Sequence, residues 1–266
     1  MYGRDYERQR VDVRYALIFF VYGLIWRIYM FYIRMADLVI AINNHYEYVE
    51  KMCRDYIVDS GTFEEADIDI HVEVTEEAVA AEQLNAGIQV SAGYCEAVCI
   101  YRAISGKLIA YNAFLVHGAC ISYGGEAILF LAKSGTGKST HICLWKKIYG
   151  DAVSIINGDK PIVRLHNGRF YVYGTPWCGK EGWNINASAP LRALCFIERG
   201  IDNMIEKAPG QAVMGRLCHQ ILMPKDKTEL IRYLEMMDRL IRTTDAYIMH
   251  CNMQDEAARV ACEGMT

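Results

Sequence analysis

The sequence predicts an α/β protein with a mixed sheet, on three observations. An apolar run at 128–131 leads into AKSGTGKST at 132–140, after which Ile142, Trp145 and Ile148 recur at helical spacing. Short apolar stretches at 153–157, 162–165, 170–173 and 191–197, bounded by turn residues, read as further strands. Residues 116–123 and the strand at 128 are joined at Gly124-Gly125, so the strand that feeds the glycine-rich turn is the second arm of a hairpin. A purely parallel sheet needs crossover helices there, and a hairpin makes the sheet mixed.

Strand, glycine-rich turn and helix in that order are the context of a phosphate-binding loop. Glycines let the backbone curl so that N–H groups point at an anion, and the helix N-terminus adds its dipole. The amides of Ser134, Gly135, Thr136, Gly137, Lys138, Ser139 and Thr140 are the candidate phosphate cradle. Lys138 has the reach for the outer phosphates, and the Ser139 hydroxyl suits Mg²⁺. Ala132 stands where the first glycine usually is, the smallest side chain that can replace it. The motif therefore predicts ATP and Mg²⁺ as ligands. Asp159 closes the strand at 153–157, twenty residues beyond Ser139, and is the carboxylate placed to serve the metal. His117 opens the first hairpin arm and is a further site candidate.

Composition narrows the function classes. Charged residues make up 23% and apolar ones 53% of 266 residues, values of an ordinary globular chain. A net charge of −4 leaves no basic excess to neutralise a nucleic-acid backbone. The ten cysteines are scattered without a CxxC pair, the pattern of packing thiols in a reducing cytoplasm. Residues 15–33 are apolar behind Arg4, Arg8, Arg10 and Arg14, but Arg27 cuts the run short of a bilayer span. The expected organisation is an extension over 1–34, with membrane anchoring through 15–33 as its minority reading, and one ATP-binding domain over 35–266.

Within that domain, residues 36–42 read as a strand. Alternation over 67–74 puts His71 and the acids on a wet face, with Thr75 capping a helix. A helix is expected over 96–103, either helix or strand over 107–115, and helical pattern from 212 to 243. Strand 246–250 and helix 256–261 close the chain. The loop GTPWCGKEGWN at 174–184 breaks every period and is a binding-loop candidate in which Lys180 can steady phosphate and Glu181 can touch metal or substrate.

The order His117-Gly118, hairpin, AKSGTGKST, helix and a strand ending in Asp159 resembles HPr kinase/phosphorylase and its relatives, which share a P-loop fold with the phosphoenolpyruvate carboxykinases. The resemblance covers Met35 to the C-terminus and is strongest over 116–200. It implies a phosphoenolpyruvate-carboxykinase-like fold with an HPr-kinase-like C-terminal domain, a position for His117 near the phosphates, and an Asp-Asp pair at the end of the second strand. Here that pair reads Gly158-Asp159, so one carboxylate is missing. The family's Glu-x-Arg-Gly signature is absent in its usual form, which does not support action on HPr itself. The resulting expectation is an ATP- and Mg²⁺-dependent kinase acting on a serine-type hydroxyl of a small protein, peptide or metabolite. Lys138, Asp159 and His117 carry the chemistry, with Asp159 or His117 orienting or deprotonating the acceptor and Glu181 as the alternative, and Ser139 and Asp159 hold the metal. Rival readings are a decarboxylating carboxykinase and a non-catalytic ATP-binding module. The acceptor and any homo-oligomer stay open.

Overall fold

The computed structural model describes residues 18–265 apart from 22, 23 and 28. Strands β1 (Ile18–Val21) and β2 (Leu24–Arg27) form an antiparallel pair. Strand β3 (Tyr29–Met35) turns back into β4 (Leu38–Asn44) through Ala36 and Asp37, whose φ values of 53° and 58° are those of a two-residue primed turn. The boundary expected after residue 34 falls within this hairpin. Phe31, Ile33 and Met35 are buried core residues paired with β4. The anchoring stretch lies partly outside the described residues. Its described part forms strands, and among the described residues no helix is long and apolar enough to cross a membrane.

Helix α1 (Glu47–Cys53) follows, and β5 (Ile70–Glu73) then pairs parallel to β4. Ile70 and Val72 face inward and His71 and Glu73 outward, as the alternation predicts. Thr75 caps α2 (Glu76–Asn85) by accepting from the Ala78 amide. Helix α3 (Ala92–Lys107) runs past the predicted 96–103 at both ends. Ser91 caps it, and the buried Glu96 is satisfied by the amides of His45 and Tyr46 at 2.6 and 3.0 Å. Residues 107–115 resolve into the end of α3, a short 3₁₀ turn and β6 (Ala113–Leu115).

The larger layer contains β7 (Ala119–Tyr123), β8 (Glu126–Leu131), α4 (Lys138–Tyr149), β9 (Val153–Asn157), β10 (Ile162–His166) and β11 (Arg169–Tyr173). It is completed by β12 (Ser188–Arg199), β13 (Met204–Lys207), α5 (Gly210–Cys218), α6 (Lys227–Thr243), β14 (Asp245–Cys251) and α7 (Glu256–Met265). The helical pattern over 212–243 is therefore two helices, separated around Pro224, with Asp226 capping the second through the Thr228 and Glu229 amides.

The sheet order is β6-β10-β11-β12-β8-β7-β9, with β14 also against β12 and β13 against β14. The β8–β12 and β12–β14 pairs are parallel, whereas β7 is antiparallel to both β8 and β9. This is the mixed sheet of a mixed α/β architecture. Its pairing brings the ends of β8, β9, β12 and β14 and the start of β7 to one edge. Alternation along β8 sorts the helices. Ile128 and Phe130 join the cluster of Ile142, Trp145 and Ala258, so α4 and α7 cover one face. Leu129 and Leu131 join that of Leu217, Met237 and Leu240, so α5 and α6 cover the other. The small sheet and α3 dock beside the loop after β11, where Trp177 Nε1 donates to the Ala97 carbonyl at 3.0 Å.

Candidate active site

The loop between β8 and α4 is shaped by two glycines at positive φ, Gly135 at 75° and Gly137 at 122°. A side chain is strained at either φ, so the sequence needs glycine at both. The Thr136 amide closes a turn onto the Lys133 carbonyl (3.2 Å), and the His141 amide starts α4 on the Gly137 carbonyl (2.9 Å). Ser134, Gly135 and Thr140 are exposed, Thr136, Gly137 and Ser139 are half-buried, and Lys138 is buried. The Lys138 side chain folds beneath the loop, with Nζ donating to the Ala132 carbonyl at 3.1 Å. Burial lowers its pKa, the charge of Asp159 raises it and that of Lys160 lowers it.

Asp159 is near enough to the loop for its charge to act on Lys138, and it is paired with His117. His117 Nε2 lies 3.2 Å from Oδ1 and Lys160 Nζ lies 2.6 Å from Oδ2. Burial works to raise the Asp159 pKa, but the hydrogen bonds and charges of His117 and Lys160 prevail and hold it down at about 2. The carboxylate is thus ionised at neutral pH, with an oxygen committed to each partner.

Backbone contacts fix this arrangement. The Gly118 amide donates to the Asp159 carbonyl at 2.9 Å, and the Val116 amide to the Pro161 carbonyl at 3.0 Å. The buried Asn157 turns the chain at the end of β9. Its Oδ1 accepts from the amides of Asp159 and Lys160 (2.9 and 2.7 Å), and its Nδ2 donates to the Thr175 carbonyl at 2.9 Å. Gln220, with its amide nitrogen turned toward the carbonyls, donates to His117 and Ala132 at 2.9 and 3.3 Å.

The loop from 174 to 184 lies over Asp159. The Gly158 amide donates to the Trp183 carbonyl at 2.9 Å, and a Cβ on Gly158 would stand 3.0 Å from the Cys178 carbonyl. Residue 158 is thus packed under this loop, which is the physical reason that a second aspartate is not accommodated there without displacing it. Gly179 (φ 78°) and Gly182 (φ 70°) bracket a turn that carries the exposed Lys180 and the half-buried Glu181.

Several residues here escaped the reading of the sequence. Arg199, from the end of β12, donates to the Gly135 carbonyl at 2.6 Å and braces the loop from its other flank. Lys160, Asn157 and Gln220 were also not foreseen. The Glu198-Arg199-Gly200 triplet was visible in the sequence, but its approach to the loop depends on β12 lying next to β8. A cavity of about 440 Å³ opens beside the loop, lined by Thr140, Leu144, Ile197, Arg199, Asn252 and Met253 among others.

No protein-family model matches this sequence, and no curated protein does. Among solved structures, the Hpr(Ser) kinase/phosphatase from Coxiella burnetii is similar over 47% of this chain and 90% of its own. The identity is 9% and the TM-score 0.28, too low to assign a shared fold.

Proposed function

We propose that this chain is an ATP- and Mg²⁺-dependent kinase that transfers the γ-phosphoryl group to a serine-type hydroxyl of a small protein, peptide or metabolite, on a phosphoenolpyruvate-carboxykinase-like P-loop fold. The observation that carries this reading is the Asp159 carboxylate, ionised by His117 and Lys160, close enough to the glycine-rich loop to act on the charge of Lys138. A bare anion site needs only amides and cations. A carboxylate beside them is what a phosphate-bound divalent cation adds to the requirement.

The residues present fit Mg²⁺. Ser139 in the first turn of α4 and Asp159 are hard oxygen donors, and among the described residues no group of three His, Cys, Asp or Glu side chains could form an all-protein metal cage. Such a set suits a cation that takes most of its ligands from phosphate and water. When bound, Mg²⁺ supplies charge neutralisation at the phosphate oxygens. The chain's own contribution is positioning. The amides of 134–140 would hold the phosphates, Lys138 would exchange the Ala132 carbonyl for phosphate oxygen, and His117 would keep Asp159 oriented.

Replacement of Lys138 by Ala tests this. With γ-labelled ATP, Mg²⁺, a serine peptide library and free serine, wild type is expected to label a hydroxyl. The variant, folded by circular dichroism, is expected to lose at least about 100-fold in transfer. Full activity in the variant would sink the reading. Wild-type ATP binding without any turnover would instead favour a non-catalytic nucleotide-binding module, which the single carboxylate at Gly158-Asp159 also accommodates.

A further inference from the structure

Transfer to a hydroxyl requires a group that receives the hydroxyl proton, a role for which the sequence offers Asp159 or His117 and, as an alternative, Glu181. Asp159 and His117 are poorly suited, since His117 Nε2 and Asp159 Oδ1 are paired with each other at 3.2 Å and Asp159 Oδ2 is held by Lys160 Nζ at 2.6 Å. A second carboxylate stands next to Asp159. The point where a Cβ would stand on Gly179 is 3.6 Å from Asp159 Cγ and 3.5 Å from Glu181 Oε2, so both carboxyl groups border Gly179. Glu181 differs from Asp159 in being uncommitted, because its oxygens make no hydrogen bond or ion pair among the described residues.

The backbone sets its position. Gly179 and Gly182 both take positive φ, and the Gly182 amide closes the turn on the Gly179 carbonyl at 3.3 Å, so residues 180 and 181 form its tip.

We infer that Glu181 is the catalytic base, which takes the proton of the acceptor hydroxyl. This rests on the kinase reading above. In the step, the hydroxyl oxygen bonds to the γ-phosphorus as the bond from that phosphorus to the β,γ-bridging oxygen breaks. The electron pair of the broken bond leaves with ADP, and the hydroxyl proton passes to Glu181 Oε2 and from there to water. Placing the base on the 174–184 loop rather than at residue 158 leaves Gly158 free to pack under that same loop.

The test compares full-length wild type with Glu181→Gln and Glu181→Asp. It measures the affinity for a fluorescent ATP analogue with Mg²⁺, and the loss of γ-label from ATP to serine-type acceptors or to water. Glu181 is on a half-buried turn tip, so the variants are expected to fold. The expected result is nucleotide affinity within twofold of wild type, turnover about 100-fold lower in Glu181→Gln, and partial recovery in Glu181→Asp. If wild type turns over and Glu181→Gln stays within threefold of it, the base assignment is overturned and the kinase reading stands. If Glu181→Gln loses nucleotide affinity as steeply as turnover, Glu181 is a binding group and the assignment is again overturned. If wild type binds the analogue but turns over nothing, the kinase reading falls and takes the base with it.

Discussion

His141 shows how one residue ties the phosphate loop to the core. It follows the loop directly, is 2% exposed, and accepts from Trp145 Nε1 at 3.1 Å through Nε2, which leaves the ring proton on Nδ1 facing Cys251 Sγ at 3.9 Å. Burial lowers its pKa from 6.5 to about 4. Between those values the unfolded chain binds a proton that the folded chain refuses. The stability due to neutral His141 is therefore complete above pH 6.5, and it is lost as pH falls toward 4. The full loss is about 3 kcal/mol. Denaturant midpoints measured from pH 7 to 4.5 are expected to fall for wild type more steeply than for His141→Gln. Equal slopes would show that the ring is not the titrating group.

At the scale of elements, the 174–184 loop depends on close backbone approach. Gly174 donates its amide to the Ala187 carbonyl at 3.0 Å, and the Ile185 amide reaches the Ile156 carbonyl at 3.1 Å. A Cβ on Gly174 would collide with the Ile185 carbonyl and stand 2.8 Å from that of Ile156. Both obstacles are backbone, so neither can rotate away. Gly174→Ala is expected to destabilise by about 2–3 kcal/mol and to loosen the loop from β9. Thermal unfolding would register this as a lower midpoint, and an unchanged midpoint would mean that the loop is not seated on β9 as described.

Across the whole molecule, the small sheet is part of one assembly with the site. Arg164 Nη1 donates to the Ala36 carbonyl, Tyr173 donates to Asp37 at 2.5 Å, and Trp177 from the site loop donates to α3. Removal of residues 1–34 would take away all of β3 but Met35, exposing the β4 edge and emptying the places of Phe31 and Ile33. Each such apolar side chain contributes about 2 kcal/mol by burial. The shortened chain is expected to lose a single cooperative unfolding transition by calorimetry. A transition matching that of the full chain would show that the 35–266 portion is self-sufficient.

The legible parts of this protein were those governed by local chemistry. Gly135 and Gly137 mark the loop because no other residue accepts their φ comfortably. Ile70 and Val72 against His71 and Glu73 mark a strand because successive side chains point to opposite faces. The same signals did not show the β3–β4 hairpin at residue 34, since an apolar run does not reveal that its neighbour in the sheet lies across a two-residue turn. What only the tertiary structure decided was company. His117 and Asp159 are 42 positions apart and meet because β7 pairs with β9, Arg199 reaches Gly135 because β12 lies against β8, and Asp159 and Glu181 both border Gly179 because the 174–184 loop folds back over β9. Sequence determined the backbone shapes, since these depend on a few adjacent residues. Pairing between distant strands determined which charges share a site, and no local pattern encodes that.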